Sequence, residues 1–171
     1  TAQIAMHAAL TGHLVFSTLH TNDAATALPR LLDMGAEPFL VASVLNAIVG
    51  QRICRQLCQS CKEEYEATAQ IVADIKFILG KLYQETKAVV KLYKAKGCAE
   101  CNQTGYLGRI GIFEVLPVTE KIAKLVLERS SADQIKNEAV AESMIPMMQD
   151  GYLKVLEGTT TLEEVKRVAL D

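Results

Sequence analysis

QRICRQLCQSCKEEY (residues 51–65) and GCAECNQTGYLGRIGIFEVLP (residues 97–117) decide how this chain is organised. Each stretch carries one Cys-x-x-Cys, Cys58 with Cys61 and Cys98 with Cys101, and Cys54 is left over. A two-residue spacer lets both sulfurs of a tight turn point at one ion, and zinc prefers four thiolates in a tetrahedron. The 36 residues between the pairs exceed the roughly 15–20 of the usual paired-knuckle spacing, so the ion would staple two distant segments. Three readings compete: structural Zn2+, a redox dithiol, and disulfides of a secreted domain. A redox pair needs only one Cys-x-x-Cys, normally where a helix starts after a buried strand. Disulfides belong to oxidising compartments, and no cleavable signal leads the chain. The duplication favours metal. Four sulfurs close the coordination sphere, which makes the ion structural rather than catalytic. Cys54 reads as an apolar filler on a strand.

Working outward from the knuckles, Gln51–Leu57 alternates as a strand leading into the first pair, and Ile110–Leu116, closed by Pro117, as a strand leaving the second. Between strand and knuckle, residues 102–109 form a glycine-punctuated turn. Within the insert, Ile71, Ile75, Ile78 and Leu82 recur at helical spacing, and a strand follows near Val89–Tyr93. On the N-terminal side, residues 1–10 read as a helix ended by Thr11-Gly12. His13–Leu19 is rich in β-formers and suits a buried parallel strand. Asn22 or Asp23 then caps a helix running through Leu32 and stopped at Asp33-Met34-Gly35. Glu37-Pro38 opens another, whose Phe39, Val41, Val44, Leu45, Ile48 and Val49 are too uniformly apolar for a solvated face. From Thr119 onward the pattern is helical. Ser131 with Gln134 and Thr161 with Glu164 fit the capping-box spacing, and Glu163, Glu164, Lys166 and Arg167 read as a solvated helix face. The layout is α/β at the start (1–57), a tetracysteine zinc-binding subdomain in the middle (58–101), and a closing strand with a helical bundle at the end (102–171).

Composition bounds the function. The 171 residues are half apolar and 22% charged, enough to bury a core and too few charges for a disordered chain. A net charge of −2 from 18 basic and 20 acidic residues leaves no electrostatic footprint for nucleic acid. The longest apolar run, Pro38–Val49, is broken by Ser43 and Asn46 and is too short to span a bilayer. No Gly-x-x-x-x-Gly-Lys-Ser/Thr occurs, nor any Gly-x-Gly-x-x-Gly, so the chain has no phosphate cradle of its own. It opens on Thr1 rather than Met, the mark of a piece of a longer protein. His13 and His20 bracket the predicted strand. Polar groups at its carboxyl end, Thr18 to Asn22, would face a ligand in an open α/β sheet, unless the histidines only satisfy polar partners near helix ends. Arg109, between Gly108 and an apolar strand, suits a phosphate or carboxylate across an interface, or equally an internal ion pair.

Four stretches carry a family resemblance over essentially the whole chain: TAQIAMHAALTGHLVFSTLHTNDA (1–24), PFLVASVLNAIVGQRICRQLCQSCKEEY (38–65), GCAECNQTGYLGRIGIFEVLPV (97–118) and DGYLKVLEGTTTLEEVKRV (150–168). In order they resemble the histidine box, the approach to the first zinc knuckle, the second knuckle with its strand, and the C-terminal end of the type II secretion and type IV pilus assembly ATPases, the GspE/PilB-like branch of the secretion ATPase superfamily. The tetracysteine pair separates this branch from the retraction and DNA-transfer relatives. The resemblance implies the C-terminal part of a RecA-like P-loop NTPase core in a cytoplasmic homo-hexamer. That motor would use ATP and Mg2+ to drive an inner-membrane platform protein, held at the membrane through platform and adaptor partners, with no nucleic acid involved. It implies that Cys58, Cys61, Cys98 and Cys101 bind zinc. His13 and His20 match the histidine box beside the nucleotide, His20 first as the sensor. Gln51, Arg52 and Arg109 match recurring positions, the two arginines as nucleotide or subunit-interface contacts. Walker A, the Asp box and Walker B would precede Thr1, and the isolated chain would not hydrolyse ATP. The competing reading is a stand-alone zinc-ribbon adaptor without catalysis, which has no need of a histidine-bracketed buried strand.

Overall fold

A computed structural model describes residues 2–84 and 89–169; Thr1, at the head of the expected first helix, lies outside them. The chain is mixed α/β and divides into two compact units, Thr1–Gly50 with Glu114–Pro146, and Gln51–Phe113 with Met147–Asp171. Two strands, β1 (Ala47–Leu57) and β4 (Tyr106–Pro117), pair with each other, and each runs from one unit into the other.

The first unit holds α1 (Ala2–Leu10), α2 (Ala27–Asp33), α3 (Pro38–Val44), α5 (Glu120–Leu127) and α6 (Ala132–Ala141). Met6, Leu28, Leu40 and Val41 pack with Leu116, Ile122, Val126 and Ile135 to form its core. Local signals set several ends. After α1 the amides of Thr11 and Gly12 donate to His7 and Ala9 carbonyls. After α2, Gly35 and Ala36 donate to Leu32 and Leu31. Thr119 caps α5 by accepting from Ile122 N, and Ser131 and Gln134 form a complete capping box on α6.

Three expectations for this unit need correction. His13–Leu19 is not a strand. It has no regular secondary structure and faces solvent, with Leu14 and Phe16 78% and 87% exposed. A buried parallel strand draws its hydrogen bonds and its cover from neighbours on both faces, and none flanks it among the described residues. Asp23 does not cap α2; its carboxylate accepts from Thr26 N at 2.8 Å and caps the preceding turn. The helix opened by Pro38 stops at Val44, because Ile48 and Val49 join β1, where pairing with β4 suits β-branched residues better than another helical turn. Its burial is partial: Leu40 and Val41 point inward, while Phe39 is exposed.

The second unit is built around a β-hairpin-like pair and three helices. β2 (Glu63–Glu66) runs antiparallel to β3 (Lys91–Lys94), pairing Glu63 with Lys94 and Tyr65 with Leu92. α4 (Ala69–Leu79), capped by Thr68, continues into a 3-10 turn at Gly80–Leu82, so the α-helix ends at Leu79, three residues short of Leu82, with Gly80 as its C-cap. α7 (Met147–Leu156) and α8 (Leu162–Ala169) complete the unit. Its core joins Cys54, Ile75, Leu79, Leu92 and Ile112 to Tyr152, Val155, Val165 and Val168. The residues expected to form a turn at 106–109 are instead the start of β4. The helices expected as one C-terminal bundle are divided, α5 and α6 in the first unit and α7 and α8 in the second. Among the described residues no helix is long and apolar enough to cross a membrane.

Candidate metal centre

β1 delivers the first knuckle and β4 leaves the second, and the hairpin-like β2–β3 pair lies between them in sequence. The first knuckle is a turn in which Cys61 N and Lys62 N both donate to Cys58 O. In the second, Asn102 N donates to Ala99 O, Gln103 N to Cys98 O, and Thr104 N to Cys101 O. That winding needs left-handed backbone: Asn102, Gln103 and Gly105 have φ of 51°, 62° and 76°. At Gly105 a side chain is also excluded sterically, since a Cβ would lie 2.5 Å from the Ala95 Cβ. Across the two turns, Ser60 Oγ donates to Glu100 Oε2 at 2.5 Å.

All five cysteines are free thiols, and the Sγ atoms of Cys58, Cys61, Cys98 and Cys101 lie within 4.8 Å of one another. The separations Cys58–Cys98, Cys61–Cys101 and Cys98–Cys101 are 3.9, 3.8 and 3.7 Å. Four thiolates about 2.3 Å from a tetrahedral zinc ion stand about 3.8 Å apart, so the donor set fits that ion. The electrostatics agree. Burial opposes ionisation of Cys101, but the N–H groups of Cys98 and Gly105, each 3.2 Å from its Sγ, prevail and bring its thiol down to about 6. Burial, with the neighbouring thiols of Cys98, Cys101 and Cys58, pushes Cys61 up to about 12. A cation bound among such thiols favours their deprotonation by neutralising the accumulated charge. Cys54 is separate from it, fully buried on β1 in the apolar core and pushed up to about 11, chiefly by burial.

The other sequence-predicted residues are not gathered into a common site. His13 follows α1, its Nδ1 3.1 Å from Thr11 Oγ1 and 3.3 Å from Ala8 O. His20 is exposed at the far end of that irregular segment. Both belong to the first unit. Arg52 is half-buried on β1 and Arg109 exposed on β4, in the second.

Two acids escaped the sequence reading. Glu114, 3% exposed on β4, accepts from Ala24 N at 2.6 Å and so anchors the chain just beyond the histidine segment. The signal for it is its place between buried Ile112 and Leu116 on the inward face of the strand. Glu164, expected on a solvated face, is buried. Its carboxylate accepts from Arg55 N at 2.9 Å, from the Arg55 guanidinium at 2.6 Å, and from Arg167 at 3.0 and 2.7 Å. Burial opposes its charge, yet these donors hold it down at about 2. The predicted capping box is therefore half made: Thr161 Oγ1 accepts from Glu164 N, while the acid turns to the arginines.

A paired-knuckle thiol cluster on a mixed α/β chain defines a protein with a four-cysteine site that could hold a metal ion. The family model described as "Type II/IV secretion system protein" matches residues 1–167, and the chain belongs to that family. It is 44% identical over 165 residues to the type IV pilus assembly ATPase PilB of Myxococcus xanthus, covering 96% of this chain and 28% of that protein. It is 45% identical over 168 residues to the type II secretion system protein E of Pseudomonas aeruginosa, covering 98% of this chain and 32% of that protein. To the type II secretion system ATPase E of Vibrio cholerae it is 44% identical over 169 residues, again 98% and 32%. The chain thus spans less than a third of the length of these relatives.

Proposed function

We propose that these 171 residues are the C-terminal part of a hexameric cytoplasmic ATPase that couples ATP hydrolysis to assembly of a type IV pilus or a type II secretion pseudopilus. The observation that carries this reading is the match to named secretion and pilus ATPases over 96% or more of the chain, with the four cysteines gathered at tetrahedral spacing. On this reading residues 1–57 close a RecA-like core whose phosphate-binding loop, Mg2+ ligands and catalytic carboxylate lie outside the 171 residues. Segment 13–19 would then find strand partners in that core. His20, with His13, would sense the γ-phosphate or the attacking water from the strand tip, a group placed to report hydrolysis to a neighbouring subunit. Arg52 and Arg109 would serve nucleotide or subunit contacts.

At the thiol centre, Cys58, Cys61, Cys98 and Cys101 would hold Zn2+, whose contribution is a cross-link between two distant segments and no reaction chemistry. Membrane platform and adaptor proteins of a secretion or pilus machine would be the working partners.

Two measurements test the reading. ATP turnover assayed on the 171-residue chain and on the longer protein should be undetectable in the first and measurable in the second; turnover by the chain alone overturns it. In the longer protein, His20→Ala should lower turnover while nucleotide still binds. Equal turnover would remove the sensing role.

A further inference from the structure

Residues on either side of the first knuckle are fastened to one short segment far away in sequence. Leu57, immediately before Cys58, donates its N–H to Thr159 O at 2.9 Å. Lys62, immediately after Cys61, donates from Nζ to Gly158 O at 3.0 Å, with its ammonium 4.4 Å from the Tyr93 ring centre. Farther back on β1, Arg55 O accepts from Thr160 Oγ1 at 2.9 Å, and Arg55 N donates to the buried Glu164 carboxylate. Cys58 itself donates to Gly105 O, on the second knuckle. The second knuckle winds on its own backbone, and the same segment reaches its flank at one point, where Tyr106 Oη lies 3.2 Å from Thr161 Oγ1.

We propose that Gly158–Glu164 is a strap that positions the first knuckle for metal, with Glu164 and Lys62 as positioning residues of the thiol centre. The physical case is preorganisation. Four thiolates converge only if residues 55–62 are held in place, and this stretch has no helix of its own and a single paired strand edge to steady it. The strap supplies fixed partners at both flanks of the turn. Gly158 is shaped for this: its φ is +71°, and a Cβ there would meet the Tyr93 ring at 2.5 Å and crowd Lys62 Nζ at 3.3 Å. Glu164 anchors the strap's far end with donors from two arginines, and Arg55 also lies 4.1 Å over the Tyr106 ring. Groups that orient metal ligands without touching the metal typically change its retention by about 10–100-fold when removed. The strap acts one step further out, so the lower end of that range applies.

The proposal rests on the zinc reading of the site. The experiment follows release of zinc from the chain to a chromophoric chelator, for wild type, Glu164→Gln, Lys62→Met and Asp74→Asn. Asp74 accepts from Lys166 at 2.8 Å and Tyr152 at 3.0 Å, so its substitution loosens α4 from α7 and from the turn of α8 that follows the strap, while Asp74 itself contacts neither knuckle nor residues 158–164. Release should be about tenfold faster in Glu164→Gln and severalfold faster in Lys62→Met, a half-buried position whose substitution leaves the core intact. Asp74→Asn should release zinc as wild type does. The strap is refuted if Lys62→Met and Glu164→Gln release at the wild-type rate, or if Asp74→Asn releases as fast as they do. Zinc content of wild type is measured first. Its absence removes the zinc reading and the strap together, whereas one zinc per chain with indifferent variants removes only the strap.

Discussion

Replacing Cys101 by serine should destabilise the second unit selectively. Cys101 Sγ is 3.7 Å from Cys98 Sγ and 3.8 Å from Cys61 Sγ, and it accepts from two backbone N–H groups that a serine oxygen at shorter reach cannot serve equally. With one thiolate gone the ion no longer closes the stretch from Cys61 to Cys98. The loop-entropy relation for a cross-link of that length gives about 4 kcal/mol at 25 °C. The loss should fall on α4, α7 and α8, whose Ile75, Leu79, Tyr152, Val155 and Val165 share a core with Cys54 on the strand leading to the first knuckle. Native-state hydrogen exchange reads it unit by unit: amides of α4 and α7 should exchange about three orders of magnitude faster in Cys101→Ser, and those of α5 and α6 at the wild-type rate. Equal protection of α4 and α7 in both proteins would show that no metal staples this unit. So would metal analysis finding no zinc in reductively purified wild type.

Other consequences follow from single features. Glu164→Gln should lower stability at pH 7 by about 2 kcal/mol; the shift of its carboxyl to about 2 implies somewhat more, which the half-exposed Arg55 and Arg167 reduce through solvent screening. Because the folded value lies below the unfolded one, this difference is fully present above about pH 4.5 and disappears as pH falls toward 2. Paired urea titrations of the two proteins, in which the shared thiols cancel, should show that convergence; a constant difference down to pH 2.5 would refute the assignment. Gly105→Ala forces a left-handed φ and an overlap with Ala95, and should cost at least about 2 kcal/mol together with weaker zinc retention, checked by denaturation and chelator competition. Ser131→Ala removes the acceptor of Gln134 N and should cost about 1 kcal/mol, seen as a lower thermal midpoint and confined to the first unit by hydrogen exchange.

What could be read from the sequence was what depends on near neighbours. The Cys-x-x-Cys spacing places two thiols on one turn whatever the rest of the chain does, and the structure brings both pairs together. The Ser131–Gln134 box, the stop before Gly35 and the amphipathic repeat of Ile71, Ile75 and Ile78 are similarly local, and each appears where the spacing put it. Segments whose conformation depends on a distant partner read wrongly. His13–Leu19 has the β-formers of a buried strand, but a strand exists only with neighbours. Ile48 and Val49 continue an apolar helical pattern on paper and join β1 because β4 is there to pair with them. Tyr106–Arg109 carries two glycines and reads as a turn, yet the same pairing draws it into β4.

The buried acids show the same division at the level of single residues. Glu164 sits among Glu163, Lys166 and Arg167, a pattern that on any isolated helix is a solvated face with i, i+3 pairs. Its second partner is Arg55, 109 residues away, and no short window can contain both. Glu114 did leave a trace, an acid at an inward position between two isoleucine- and leucine-bearing registers of a strand. A strand acid on the buried face must find a donor, and here it finds the Ala24 amide. Such acids are where distant segments are tied: Glu114 ties the end of the histidine segment to β4, and Glu164 ties α8 to the strand that delivers the first knuckle. In a chain whose four clustered thiols come from two turns far apart in sequence, the groups that hold those turns in place need not be near the cysteines in sequence either. Of the two acids only Glu114 leaves a local signature, a charge at a position where the strand period calls for an apolar side chain.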